Sequence, residues 1–111
     1  ICLLGIPKVG QEVLEDINNN LGEIVTFKDF KILMDNKDVK DILPIGSKGI
    51  IHEISELEKS NKIRINLSYE GDYLRKSAGP ATALLFILRN NSLEDIKRKI
   101  KTPIMEIGSI I

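Results

Sequence analysis

The chain predicts an α+β fold, a layered sandwich of helices on a mixed β-sheet. Three observations carry that expectation. Short apolar runs that read as buried strands stand at residues 1–6, 82–88 and 104–111. Segments with apolar residues at helical spacing lie between them, and tight hairpin signals are few. The 111 residues amount to one domain, residues 1–111, with room for a modest core but not for two lobes around a large substrate.

Taken in order, "ICLLGI" is a continuous apolar run ended by Pro7, as a buried strand that cannot pass a proline would be. In residues 9–22, Val9, Val13, Leu14, Ile17 and Leu21 share one helical face, and Gly22 follows as a C-terminal cap. Thr26 with Asp29 three residues on forms a capping pair for a shorter helix, whose Phe27, Phe30 and Leu33 make an apolar face. A short extended piece then leads through Pro44 and Gly46-Ser47-Lys48-Gly49 into a third helix. There Ile50, Ile51, Ile54 and Leu57 fall together, with His52, Glu53, Glu56 and Lys59 on the other side. "KIRINLS" alternates cleanly, as a strand covered on one face does. Residues 69–81 have no sustained period and form a candidate functional loop. "TALLFIL" is apolar throughout, which fits a central strand buried on both faces. Ser92 and Asp95 open a last helix with Leu93, Ile96 and Ile100 inward and cations at its C-terminal end, and "IMEIGSII" supplies a last strand after Pro103.

Composition removes several classes of function. Sixteen basic and sixteen acidic residues cancel, and no basic block is interleaved with aromatics, so nucleic acid is not an expected partner. One cysteine excludes an internal disulfide, and a single histidine leaves no zinc-type ligand set, so no metal site is expected. No apolar run is long enough to span a membrane, and no signal-peptide pattern is present. A reducing, cytoplasmic setting is the expectation. The chain opens on Ile1 rather than methionine, which raises the expectation of a piece processed or excised from something larger.

The strongest candidate for chemistry is residues 46–49. Glycines permit close backbone approach, and a helix N-terminus offers unpaired N–H groups to an anion. Ser47 and Lys48 would add a hydroxyl and a charge. The order G-S-K-G lacks the spacer of a Walker A loop, and a turn that merely starts a helix would look the same. Residues 76–82, "KSAGPAT", are a second candidate, because small residues ahead of a buried strand let a ligand or another backbone come close; a plain turn shaped by Gly79 and Pro80 is the alternative. His52 shares a helical face with Lys48 and Glu56, a geometry able to move a proton but equally that of a solvated pair. Asp41 lies close enough to the glycine turn to orient it.

Residues 5–17 ("GIPKVGQEVLEDI"), 39–67 ("VKDILPIGSKGIIHEISELEKSNKIRINL"), 77–88 ("SAGPATALLFIL") and 103–111 ("PIMEIGSII") together resemble the C-terminal domain of the aminoimidazole ribonucleotide (AIR) synthase, or PurM-like, superfamily. The resemblance covers nearly the whole chain. It implies a layered, partly ferredoxin-like fold and an ATP- and Mg²⁺-dependent reaction. In that reaction an N-terminal ATP-binding domain supplies the dimer core and the metal-binding aspartates, while this domain closes over phosphate or substrate. By the same resemblance Asp41 stands at the aspartate of the family's histidine-aspartate pair, Gly46 and Gly49 fall in its glycine-rich turn, and Ser77 and Gly79 in its small-residue segment; with Ser47 and Lys48 of the turn they are the expected phosphate- or substrate-binding residues. No catalytic residue is assigned. Two departures stand out: Lys40 occupies the family's histidine position, and Leu43-Pro44 replaces a hydroxyl-bearing residue ahead of the glycines. The resemblance implies partnership with an ATP-binding domain and a homodimer. The alternative is a free-standing, non-catalytic ligand-binding or interaction domain.

Overall fold

The computed structural model describes residues 1–76, 78, 82–89 and 92–111. Its elements are β1 (Cys2–Leu4), α1 (Gln11–Asn19), α2 (Phe27–Asp35), β2 (Val39–Pro44), α3 (Gly49–Asn61), β3 (Ile65–Leu67), a 3-10 turn (Asp72–Arg75), β4 (Leu84–Leu88), α4 (Leu93–Lys99), β5 (Ile104–Glu106) and β6 (Gly108–Ile110). The α+β class and the order of elements are as the sequence predicts. The expected mixed sheet is not found. Among the described residues, four strands form a sheet in the order β2-β4-β1-β5, two more form a ribbon, β3-β6, and every neighbouring pair is antiparallel.

The discrepancy has a simple topological cause. β1 and β2 run parallel to each other but with β4 between them, and β4 and β5 run parallel with β1 between them. Two strand–helix–strand crossovers are thus interleaved, so each parallel relation suggested by the helical connections lies between strands that do not touch.

Side-chain alternation along the two central strands builds a core on each face of the sheet. On one face Leu3, Leu85 and Ile87 pack with Ile45 and with Ile50, Ile54 and Leu57 of α3; Ile65 and Leu67 of the ribbon close this layer. On the other, Cys2, Leu4, Leu84 and Phe86 pack with Leu33 of α2 and with Ile96 and Ile100 around α4. "TALLFIL" is therefore buried on both faces, as its composition predicts. Helix α2 begins with the expected capping box. The Asp29 amide donates to Thr26 Oγ1 and the Thr26 amide to Asp29 Oδ2, each at 3.1 Å, and Thr102 Oγ1 donates to the same carboxylate at 2.6 Å.

Three local expectations differ from what is observed. The last strand is broken in two at the buried Ile107, so its first half belongs to the main sheet and its second half to the ribbon. Gly108 permits the change of sheet, because a Cβ there would lie 2.7 Å from the Asn66 carbonyl oxygen. Ile51, expected on the inner face of α3, is exposed. The largest difference is α1. Its apolar residues Leu14 and Ile17 are 52% and 59% exposed, Leu21 just past its C-cap Asn20 is 51% exposed, and the residue it buries is Asp16.

Candidate functional site

The glycine turn follows directly from the end of β2. Ile45 is buried and its amide donates to the Ala83 carbonyl at 3.0 Å, which fixes the start of the turn against β4. The Gly46 carbonyl then accepts two amides, Gly49 at 3.2 Å and Ala78 at 3.1 Å. Gly49 is buried at φ +85°, and a Cβ there would lie 3.2 Å from both the Arg75 carbonyl carbon and the Lys76 carbonyl oxygen. Only glycine combines that backbone angle with so close an approach. Gly46 and Gly49 are therefore packed against Arg75, Lys76 and Ala78, which brings the turn together with the start of the second segment that the sequence singles out. Ser77 and Gly79 themselves lie outside the described residues.

Ser47 and Lys48 are exposed on the turn. Lys48 is the N-cap of α3, in a helical conformation and with no side-chain capping hydrogen bond, and the first turn of α3 carries no acidic residue. The contrast with α2 is informative: there two side chains form a capping box, whereas Lys48 makes no side-chain capping bond at the start of α3. The carboxylate of Glu53 approaches the turn, its Oε1 lying 3.6 Å from where a Gly46 Cβ would be.

Asp41 is exposed and placed differently from the residues of the turn. It interrupts β2 as a bulge: the register passes from Lys40↔Ile87 to Ile42↔Phe86, and Asp41 stands between them at φ +54°. The bulge lines a shallow cleft of about 470 Å³ between β2 and α3, together with Ile42, Leu43, His52, Glu53, Glu56, Leu57 and Ser60. His52 Nε2 stands 3.9 Å from Glu56 Oε1 in this cleft. Asp41 and His52 therefore share a hollow although eleven positions separate them, and the sequence signal that could have linked them is only the i,i+4 spacing of His52 and Glu56 on one helix face. Among the described residues no group of three or more His, Cys, Asp or Glu could hold a metal ion. Cys2 is buried, which raises its thiol pKa and keeps it in the less reactive protonated form.

Two ion-pair systems beside the turn escaped sequence reasoning. Lys8 Nζ donates to Asp16 Oδ2 at 2.8 Å and to Glu23 Oε1 at 2.7 Å, and Asp16 Oδ2 also accepts the Glu23 amide at 3.1 Å. Lys8 and Asp16 are buried. Burial pulls the Lys8 pKa down, but the hydrogen bonds and charges of Asp16 and Glu23 outweigh it and hold the ammonium above its ordinary value. The second system joins α1 to the far loop: Lys76 Nζ donates to both carboxylate oxygens of Glu12, at 2.7 Å to Oε2. Lys76, first by its hydrogen bond, and the Val9 amide hold Glu12 below the usual carboxylate range. No residue type or spacing announces a pair that is 64 positions apart.

No family model, no curated protein and no solved structure matches the chain.

Proposed function

We propose that this chain is the C-terminal, phosphate- and substrate-side domain of an AIR synthase-related, ATP-dependent enzyme, and that it completes an active site against an ATP-binding domain. The observation that carries the reading is α1. An amphipathic helix whose polar side chain is buried and whose Leu14 and Ile17 face water, with exposed Leu21 just past its end, is built to be covered by something else. Phe27, 92% exposed, and Met34 add an outward apolar stripe on α2 opposite buried Leu33. The glycine turn, with an N-cap Lys48 that makes no capping bond and with Lys76 and Ala78 packed against it, supports a phosphate-facing role for residues 46–49. ATP and Mg²⁺ would be held mainly by the partner domain, so the chain alone is expected to show no Mg²⁺-dependent ATP hydrolysis. A homodimer formed through the same faces is part of the proposal.

The test is to mix the chain with an ATP-binding domain of an AIR synthase-related enzyme from the same genome and to follow sedimentation and Mg²⁺-dependent ATP hydrolysis. Assembly with turnover that neither half shows alone is expected, and Ile17→Lys should abolish assembly without changing the unfolding midpoint. Assembly indifferent to Ile17→Lys, or hydrolysis by the chain alone, would refute the proposal. Sedimentation of the chain by itself separates a second copy from the ATP-binding domain as the cover of α1.

A further inference from the structure

We propose that the Glu12–Lys76 pair is a releasable latch that couples the seating of α1 to the seating of Lys76 and Ala78 behind the glycine turn. The two ends of α1 are held differently. Its C-terminal end is anchored in the interior, because Asp16 is buried with Lys8 and the Glu23 amide on its carboxylate, and its carbonyl accepts the Leu21 amide at 3.1 Å. Its N-terminal end has no such anchor. None of the side chains of α1 belongs to either apolar cluster, and Glu12 reaches out of the first turn to Lys76. The chain enters the helix at Gly10, at φ +50°, where a Cβ would meet nothing within 4 Å, so the backbone can pivot there without a steric obstacle.

Lys76 is not an idle partner. Its own carbonyl lies against Gly49, and two residues on the Ala78 amide is bonded to the Gly46 carbonyl. A pull on the Lys76 side chain therefore acts on the segment that backs the turn. The pair is partly exposed, with 29% of the Lys76 side chain and 44% of the Glu12 side chain accessible, so salt can screen it as it cannot screen an apolar contact. Coupling of this kind is reciprocal: whatever draws α1 outward loosens Lys76 and Ala78, and whatever displaces Lys76 and Ala78 frees the start of α1. The latch goes beyond the proposed function and holds whichever molecule covers α1.

Residue-resolved amide hydrogen exchange on the whole chain tests it, using the wild type, Glu12→Gln, Lys76→Glu and the charge-swapped Glu12→Lys/Lys76→Glu. Glu12→Gln should speed exchange at Val13 and Leu14 and, at the distant end, at Gly49 and Ala78, by roughly two- to five-fold, the range set by a partly exposed ion pair. Salt at about 1 M should do the same to the wild type and little to Glu12→Gln. Lys76→Glu should exceed Glu12→Gln, and the swapped pair should return to wild-type rates. Faster exchange confined to Val13 and Leu14, unchanged rates throughout, or a swapped pair as fast as Lys76→Glu would each overturn the proposal. Glu12→Gln preserves shape at a half-exposed position, so the test survives should a charge-reversed variant fail to fold.

Discussion

Helix α3 meets the rest of the molecule with Ile50, Ile54 and Leu57, whereas α1 meets it with Asp16 and turns Leu14 and Ile17 away. Both segments carry a well-formed apolar stripe. The difference shows that periodicity identifies a face but not what the face is for. In α3 the stripe is spent on the domain's own core, each large side chain contributing about 1.5–3 kcal/mol. In α1 the attachment is ionic and the stripe is left over. One helix is a structural element of the domain; the other leaves its apolar face exposed.

That comparison can be broken most directly by truncating each stripe. Ile50→Ala removes a fully buried side chain and should cost about 2–5 kcal/mol in denaturant unfolding, whereas Ile17→Ala should stay within about 0.5 kcal/mol. Equal losses at the two sites would mean that the face of α1 is not outward in solution. Next in size is Lys8→Met. It strands Asp16 in the interior without its cation, a loss of about 3 kcal/mol if α1 stays docked. Because α1 can undock and hydrate Asp16, much of that loss should appear as vanished amide protection over residues 11–19 while α3 keeps its own. Uniform loss of protection in both helices would show that α1 is integral to the core after all.

The smallest expected effect is that of acid. The Glu12 pKa is lowered by Lys76 and the Val9 amide, with Lys8 adding a weaker attraction, so its stabilising contribution is fully present above the ordinary glutamate pKa. It is lost as pH falls through the lower folded value. The raised pKa of Lys8 has the opposite sense, its contribution present at all lower pH and lost only in strong alkali. Exchange corrected for intrinsic rates should therefore accelerate at Val13 and Leu14 as pH drops below the glutamate range. A flat profile there would remove the Glu12 contribution from the account of α1.

Much of the fold was legible in the sequence because burial leaves a compositional mark. The all-apolar run 82–88, the alternation of residues 63–67 and the Thr26/Asp29 pair each map onto the element they predict. The order of strands was not legible, since pairing between Cys2 and Phe86 leaves no trace in either local pattern. The break at Ile107 was hidden by two apolar half-strands that read as one, although Gly108 was its only outward sign. For the site, the glycine turn and its neighbouring segment were visible as small-residue clusters, and the structure packs Gly46 and Gly49 on Arg75, Lys76 and Ala78. The bulge that sets Asp41 in the cleft with His52 was not, because a positive φ at an aspartate is a tertiary outcome. Lys8 and Lys76 were not either: a lone lysine looks the same in a sequence whether solvated or buried against a carboxylate.

The position of β1 bears on how this molecule comes into being. Residues 2–4 lie in the middle of the main sheet, yet their two partners are residues 84–86 and 104–106. Of these three strands a ribosome delivers β1 before the other two, so an apolar segment must wait unpaired until residues 84–86 and 104–106 have followed. Closure of such long loops is entropically costly before any contact rewards it, and folding should be slow for a chain of this size. During that interval the exposed strand is a template for other nascent chains, and rapid expression should drive the protein toward aggregates that the finished fold, with β1 sealed between β4 and β5, does not form.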